Sequence, residues 1–537
     1  MATTTTPFSS IRATVEEHFG HDRLRPGQED AIAALLDGQD VLLVSPTGSG
    51  KSLTYQVAGL LSGGLTIVVS PLLALQQDQV DALTEVGIGA ARLSSAESAG
   101  AREEAMEGMR SGAIRFALLG PEQLARPQVR GALAALRPTL VAVDEAHCVS
   151  TWGHDFRPDY LRLGDLVQEL GTPRVVAMTA TAALPTRRDI VERLHLRAPC
   201  LVVTGFERDN IALHVHRCLD ERDQQERVLG EVDGRRADAG SVLVYCRTRK
   251  GAEAYAAELA TRGHRVAAYH AGLGKRRREE VQRSFMTDDL DVVVATSAFG
   301  MGIDKPGIGL VVHADVPESP DTYHQEVGRA GRDGAPAAGV LFYRSEDLAL
   351  GRFFATPVPG RGDVVDVAST MARTGSRDPR EVRERLDLGP RKTARLVNLV
   401  SLALEASGCS DLPPEQLADL VIERAEAQRR LERSRVEMMR AYAETDRCRS
   451  AFLLAYFGAP VSGRCGVCDN CVDGVAADER ADASARFAVQ AAVRHDEFGV
   501  GVVTDVVQDR LTVLFDDAGY RTLSLEAVED NDLLEPA

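Results

Sequence analysis

Between about residue 20 and residue 345 the chain keeps returning to a short apolar run followed by a stretch of helical spacing. The runs are "DVLLVS", "LTIVVSP", "FALLGPE", "LVAVDEAH" and "VVAMTAT", then "SVLVYCR", "RVAAYH", "DVVVATS", "LVVHADVP" and "GVLFY". Strands alternating with helices at this spacing argue for parallel sheets wrapped by helices, an α/β fold. The strands are too many for one comfortable sheet, and a break near "VVTGFERDN", residues 202 to 210, separates two units of similar size. Ligands in such sheets sit at the carboxyl ends of the strands, so the chemistry is sought where each run stops.

The first run stops at "SPTGSGKSLTYQ", residues 45 to 56, where a strand gives way to a helix. A plain turn needs glycine but has no use for lysine. Thr47, Gly48, Ser49 and Gly50 can turn backbone N–H groups onto phosphates, Lys51 supplies a point charge, and Ser52 offers a hydroxyl to Mg2+. Ser45 replaces the first glycine of the usual phosphate-loop pattern. Lysine is scarce here, confined to Lys51, Lys250, Lys275, Lys305 and Lys392 among 62 basic residues, so a lysine at this spot carries weight against an ordinary Gly/Ser turn.

Two further endings join it. "LVAVDEAHCVS" closes a strand on Asp144 and Glu145, which suit a Mg2+ ligand and a group that orients the attacking water; chance acids at a strand end are the bland alternative. "YHQEVGRAGRDG" puts Arg329 and Arg332 on one helical face, where they could reach a γ-phosphate from the second unit, although surface arginine pairs are common. "STWGHDFRPDY" holds the only tryptophan, Trp152, among His154, Phe156, Arg157 and Tyr160. Interleaving aromatics with Arg and His suits base stacking and backbone gripping better than a core loop would.

The 537 residues carry a net charge of −17, which looks wrong for a nucleic-acid protein. From Val472 onward there are 15 acidic and 5 basic residues, a net of −10, leaving −7 for the rest. Any footprint on DNA is therefore local to the body of the chain. No apolar run is long enough to span a bilayer, and the start lacks a signal-peptide pattern, so no membrane partner is expected. A reducing compartment then favours metal binding or burial over disulfides for the nine cysteines. Cys448, Cys465, Cys468 and Cys471 form a C-x16-C-x2-C-x2-C array. Four thiolates suit a closed tetrahedral zinc, with an iron–sulfur cluster or buried free cysteines as alternatives.

Residues 346 to 445 read as all-helical. Asp378 and Pro379 start a helix, "LGP" breaks it, and Arg391, Lys392 and Arg395 open the next, which reads as a helix-turn-helix or as two core helices in a tight turn. The charged stretch "EQLADLVIERAEAQRRLERSRVEMMRAY" reads as a solvated connecting helix. The end piece reads as short strands joined by turns, a small β-barrel.

In order, "LRPGQ", "TGSGKS", "VVSPLLALQQDQV", "VDEAHCVSTWGHDFRPDY", "MTATA", "YHAGL", "VVVATSAFGMGIDKP" and "QEVGRAGRDG" resemble the RecQ family of superfamily 2 DNA helicases, across roughly residues 15 to 345 and again 445 to 471. The resemblance implies two tandem RecA-like P-loop domains with ATP between them. It implies that Arg25 and Gln28 read the adenine, that Gly302, Asp304 and Gln325 also serve ATP, and that His147, Thr179 and Thr181 couple hydrolysis to motion. It makes Arg332 the principal finger, gives DNA contacts to Ser70, Pro71 and Thr296, and selects zinc for the cysteines. Thr151 stands where glutamine is usual, and His21 replaces a frequent tyrosine. Longer family members continue into a winged helix and a small helical domain; only 66 residues follow Cys471, so a short form is expected, with any duplex grip moved ahead of the zinc module. The end piece resembles the Tudor-like barrel of some superfamily 1 repair helicases, where such barrels serve protein contacts; a cap with no partner is the alternative.

The expected order is a flexible start (1–14), two helicase domains (15–205, 206–345), a helical segment (346–444), a zinc module (445–471), a linker (472–489) and a small Tudor/SH3-like barrel (490–537). The expected activity is 3′ to 5′ unwinding of duplex or forked DNA in recombination and repair, using ATP, Mg2+ and Zn2+. The expected partners are single-stranded and forked DNA and a protein for the acidic barrel, in the cytoplasm at the nucleoid. A translocase without robust unwinding, and a zinc-stabilised nucleic-acid tether with a vestigial ATPase, are the alternatives.

Overall fold

The computed structural model describes residues 7 to 537 apart from 47, 72, 95–96, 151–159, 161, 205–206, 236–239, 301–304, 350–356, 409–411, 460–462, 477–486 and 508–509. The chain divides into two compact units, one made of residues 1–347 and 439–480, the other of residues 348–438 and 481–537.

The first unit holds two parallel sheets. Seven strands, β1 (Val41–Val44), β2 (Thr66–Val69), β3 (Ala90–Leu93), β4 (Phe116–Leu119), β5 (Leu140–Val143), β6 (Arg174–Thr179) and β7 (Cys200–Val203), lie in the order β3-β4-β2-β5-β6-β1-β7. Strands β1, β2, β4 and β5 are buried at every position, which is why they read as unbroken apolar runs. The edge strands β3 and β7 are only partly buried and tolerate Arg92 and a half-exposed Leu201. Six strands, β8 (Ile211–Arg217), β9 (Ser241–Tyr245), β10 (Val266–Tyr269), β11 (Val292–Ala295), β12 (Ile308–His313) and β13 (Ala337–Tyr343), form the second sheet in the order β10-β11-β9-β12-β13-β8.

The cysteine-bearing segment folds with this unit. Arg449 donates through Nε to Asp469 Oδ1 at 2.5 Å and through a terminal nitrogen to the Tyr442 carbonyl at 2.9 Å, while Asp469 Oδ2 accepts from the Val215 amide of β8 at 2.8 Å. A buried arginine and carboxylate so placed satisfy each other, and the edge of the second sheet gains a partner.

In the second unit, helices Arg361–Thr374, Pro379–Arg383 and Pro390–Ser407 pack around Val364, Val367, Met371, Val382, Leu396, Val397 and Val400. The 31-residue helix Pro414–Glu444 is not a solvated connector. It buries Leu417, Ala418 and Val421 in that core and, further along, carries the barrel, because its apolar stripe is narrow and hidden in a charged composition. The barrel strands β14 (Ala492–His495), β15 (Gly499–Val507), β16 (Arg510–Phe515), β17 (Gly519–Ser524) and β18 (Glu535–Pro536) pair antiparallel in the order β17-β16-β15-β14-β18. The seam is close: the Tyr520 amide donates to Ser434 Oγ at 3.0 Å, Arg430 Nε donates to the Asp517 carbonyl at 2.8 Å, and a Cβ on Gly519 would come within 2.3 Å of Ser434 Oγ. Among the described residues no helix is long and apolar enough to cross a membrane.

Candidate nucleotide site and metal centre

Four adjacent strands of the first sheet, β2-β5-β6-β1, end side by side, and each ending carries a residue singled out from the sequence. Backbone bonds set their level: the Ser45 amide donates to the Thr179 carbonyl at 3.0 Å, and the Asp144 amide to the Val69 carbonyl at 2.8 Å. Beyond β1, Gly48 (φ 78°) and Gly50 (φ 74°) take the left-handed backbone that turns N–H groups inward before the helix Lys51–Ser62 begins. Lys51 Nζ donates to the carbonyls of Ser45 and Pro46 at 2.9 and 3.0 Å, which curls the ammonium over its own loop. The Ser49 hydroxyl is buried without a hydrogen-bond partner among the described residues. Thr47 lies outside the described residues.

The segment read as adenine-binding braces this loop. Gln28 accepts the Arg25 amide at 2.8 Å and donates to the carbonyls of Ser49 and Gly50 at 3.2 and 2.9 Å, while Arg25 donates to the Gly48 carbonyl. Both ends of the Gln28 amide are thus engaged by protein. A support the sequence did not reveal stands behind Ser52: its Oγ accepts from Gln79 Nε2 at 3.3 Å, and Gln79 Oε1 in turn accepts from buried Tyr55.

Asp144 is buried, and burial first, then the neighbouring charge of Glu145, pushes its carboxyl up to about 6; Lys51 acts against this. Asp144 Oδ1 accepts the Glu145 amide at 3.0 Å, and Ser70 Oγ stands 3.4 Å from Oδ2. Ser70, read as a DNA contact, is fully buried at the end of β2, with its hydroxyl turned toward Asp144. Glu145 sits at φ 49°, which swings its side chain toward His147, whose Nδ1 is 3.3 Å from Glu145 Oε2 and 3.0 Å from Thr179 Oγ1. Thr179 donates its own proton to the Thr181 carbonyl at 2.9 Å, so Nδ1 must be the protonated nitrogen of His147. Glu145, His147, Thr179 and Thr181 therefore form one connected chain across two strand ends.

The second sheet's arginines are placed differently. The aliphatic stem of Arg332 lies over the phosphate loop, where a Cβ on Gly48 would be 3.4 Å from its Cδ. Arg329 is 2% exposed, beside Gly300 and Tyr245. Their loop is held by residues that had read only as a break between domains. Arg208 donates to the carbonyls of Gly328, Ala330 and Gly331 at 3.2, 2.9 and 3.1 Å, and Asn210 Nδ2 to those of Gly331 and Ala335 at 2.8 and 2.9 Å. Gln325 is half-buried on the helix Pro320–Val327; Pro71 and Thr296 are half-buried just beyond β2 and β11. Gly302, Asp304, Trp152, His154, Phe156 and Arg157 lie outside the described residues. Tyr160, at the end of the aromatic stretch, is buried with its hydroxyl 3.5 Å from the Asp144 carbonyl.

The sulfurs of Cys448, Cys465, Cys468 and Cys471 lie within 4.8 Å of one another. Tetrahedral zinc with bonds of about 2.3 Å needs them roughly 3.8 Å apart, so the set fits with a slight contraction. Backbone amides of Cys465, Cys468 and Arg449 point at Cys448, Cys465 and Cys468 sulfurs at 3.3, 3.4 and 3.5 Å, and the sharing of thiol protons among these three favours a thiolate at Cys465. Such donors suit anionic sulfur.

Residues 25–190 match the DEAD/DEAH box helicase model, 223–334 the helicase conserved C-terminal domain and 414–472 the RecQ zinc-binding model. The chain is 33% identical over 517 residues to the ATP-dependent DNA helicase RecQ of Bacillus subtilis (strain 168), covering 96% of this chain and 75% of that one. It is 34% identical over 471 residues to the probable ATP-dependent DNA helicase RecS of the same organism, covering 86% and 92%. The chain belongs to the RecQ helicase family. It spans 61% of the length of another relative, the RecQ of Pasteurella multocida (strain Pm70), at 34% identity over 456 residues and 85% of this chain. A solved structure of Mycobacterium smegmatis helicase Lhr bound to ssDNA and AMP-PNP shares the fold, with a TM-score of 0.52 and 21% identity over 80% of this chain and 62% of that one. The RecQ and helicase models leave two stretches unmatched that matter here: residues 191–222, with Arg208 and Asn210, and residues 335–413, with the helical segment.

Proposed function

We propose that this RecQ-family chain is an ATP-driven DNA helicase that translocates 3′ to 5′ on single-stranded DNA and unwinds duplex or forked DNA in recombination and repair, at the nucleoid in the cytoplasm. The observation that carries the reading is Arg332 of the second sheet lying over Gly48 of the phosphate loop in the first. A cation from one sheet above the phosphate seat of the other makes hydrolysis sensitive to how the sheets stand, which a motor requires and a static tether does not.

In this reading Gly48, Gly50 and Ser49 seat the phosphates, and Lys51 exchanges its two carbonyl partners for phosphate oxygens. Ser52 and Asp144 would hold Mg2+, whose positive charge would offset that of the phosphates. Glu145 orients the water that attacks the γ-phosphorus and takes its proton; Arg332, with Arg329 behind it, stabilises the charge that builds on the transferred phosphoryl group. The link from Glu145 through His147 to Thr179 and Thr181 reports hydrolysis to the loop after β6. There Arg187 donates to the Ala182 carbonyl at 2.8 Å and to Phe457 of the cysteine-bearing segment at 2.5 Å, so the report can travel beyond the sheet. The four cysteines hold zinc as a structural ion, and the acidic barrel is a protein-contact element.

The test is strand displacement on matched duplexes bearing a 3′ or a 5′ single-stranded tail, with ATP and Mg2+. Unwinding of the 3′-tailed duplex alone, lost in Lys51→Ala, is the expected outcome. DNA-stimulated hydrolysis without unwinding replaces the helicase with a translocase, and absence of hydrolysis leaves only a tether.

A further inference from the structure

We propose that the outward face of the helix Pro390–Ser407 docks double-stranded DNA, at a site of its own in the second compact unit. Its inward face is fixed by packing: Thr393, Leu396, Val397, Val400 and Ala403 are buried, at the spacing of one helical stripe. A turn of 100° per residue then puts Arg391, Ala394, Arg395, Asn398 and Leu402 on the opposite side, where each is exposed or half-buried. Three turns of helix thus present two guanidinium groups, a carboxamide, a small residue and a leucine, and the same rotation carries Glu405, the only acid in the 18 residues, to that side at the far end of the helix.

The neighbouring short helix adds arginines but no net charge, since residues 377–387 carry four basic and four acidic residues, so the excess lies at Arg391, Lys392 and Arg395. From Arg377 to Arg395 the sequence has seven basic and four acidic residues, in a chain whose net charge is −17. Arg380 and Arg383 are exposed on the helix Pro379–Arg383, which packs on Pro390–Ser407 through Val382. Lys392 is drawn off the outward face by an ion pair with Asp363 at 2.7 Å, and Arg395 commits one nitrogen to the Pro357 carbonyl at 2.6 Å, leaving most of its donors for a ligand.

The occupant follows from what the face offers and lacks. Between Pro357 and Pro413 there is no Phe, Tyr or Trp, so the segment offers no aromatic platform for unpaired bases. Rigid phosphate rows and groove edges need no stacking: Arg pairs with phosphate and guanine, Asn with adenine, and a helix of this diameter enters a major groove. The choice of DNA as the anionic polymer rests on the function proposed above; the face itself owes nothing to the motor.

Binding is measured by fluorescence anisotropy on the full chain without nucleotide, against a blunt duplex about two helical turns long and against oligo-dT. The double variant Arg391→Glu, Arg395→Glu is expected to lower the ratio of duplex to single-strand affinity about tenfold and to reduce the salt slope of duplex binding by about 2, one unit per lost phosphate contact. Arg391→Ala, at an exposed position outside the core, moves both in the same direction by less and guards against misfolding of the double variant. An unchanged ratio, whether both affinities hold or fall together, overturns the proposal. Because no ATP is present, failure of unwinding in the earlier test would leave this result standing, and the reverse holds as well.

Discussion

The two parallel sheets hold their chemistry by different means. In the first, the residues that would handle phosphate and metal sit at the ends of neighbouring strands, and the register of the sheet places them: Ser45 bonds to Thr179 and Asp144 to Val69 through the backbone itself. In the second, the arginines lie in a loop after a short helix, and that loop is fixed by side chains from elsewhere, Arg208 and Asn210, which reach five carbonyl contacts between them. The first arrangement is stiff because many strands share it. The second has one backbone bond to its sheet, from the Gly331 amide to the Ile308 carbonyl at 2.9 Å, and otherwise leans on two side chains in the connection between the sheets, so a shift of that connection disturbs the finger loop.

The contrast is tested most severely at the two cations. Arg332→Ala is expected to lower kcat for ATP hydrolysis by about 10³, the scale of a lost arginine finger, with little change in nucleotide affinity. Lys51→Ala is expected to lower kcat by about 10²–10³ and to weaken nucleotide binding as well, since the lysine would touch phosphate in the ground state too. Steady-state hydrolysis beside equilibrium binding of a fluorescent ADP separates the two; equal effects on affinity would break the distinction between a phosphate seat and a remote finger. Arg208→Ala comes next, with an expected fall in kcat of about tenfold to a hundredfold and an unchanged KM, because a positioning residue alters where the finger stands and not how substrate binds. Arg208→Lys should not rescue it, since a single ammonium cannot serve three carbonyls in a fixed fork. A normal kcat in Arg208→Ala would make the strap purely structural.

The same contrast explains what could be read from the sequence. All ten apolar runs recognised at the outset are strands, and the three that escaped notice, β3, β7 and β8, are edge strands. An edge is half wet, so "AARL" and "IALHVHR" have no need to be continuously apolar. The strand-end residues of the first sheet were legible for the same reason, each following its run directly. Arg208 and Asn210 were not, because their partners lie about 120 positions away and local spacing carries no trace of them. Gln79 behind Ser52 was hidden likewise. The long charged helix misled in the opposite direction: its composition is that of a solvated rod, while Leu431 and Ser434 lie under the barrel.

The smallest effect is also the sharpest probe, because it acts on glycines in both loops. Gly48 and Gly331 have positive φ, 78° and 57°, so alanine strains the backbone at each by about 1 kcal/mol. Their surroundings differ. At Gly48 the new Cβ would meet only the flexible stem of Arg332 at 3.4 Å, which can lean aside. At Gly331 it would stand 2.4 Å from Asn210 Nδ2 and 2.9 Å from the Ala335 carbonyl, so the strap must yield. Gly331→Ala is therefore expected to lower kcat several-fold through Asn210. In a double-mutant cycle Gly331→Ala should cost less when Asn210 is already alanine, with a residue left from the Ala335 carbonyl, which no side-chain deletion removes. Strict additivity in that cycle would mean the strap and the finger loop do not act on each other, and the difference between the two sheets would reduce to their strand order alone.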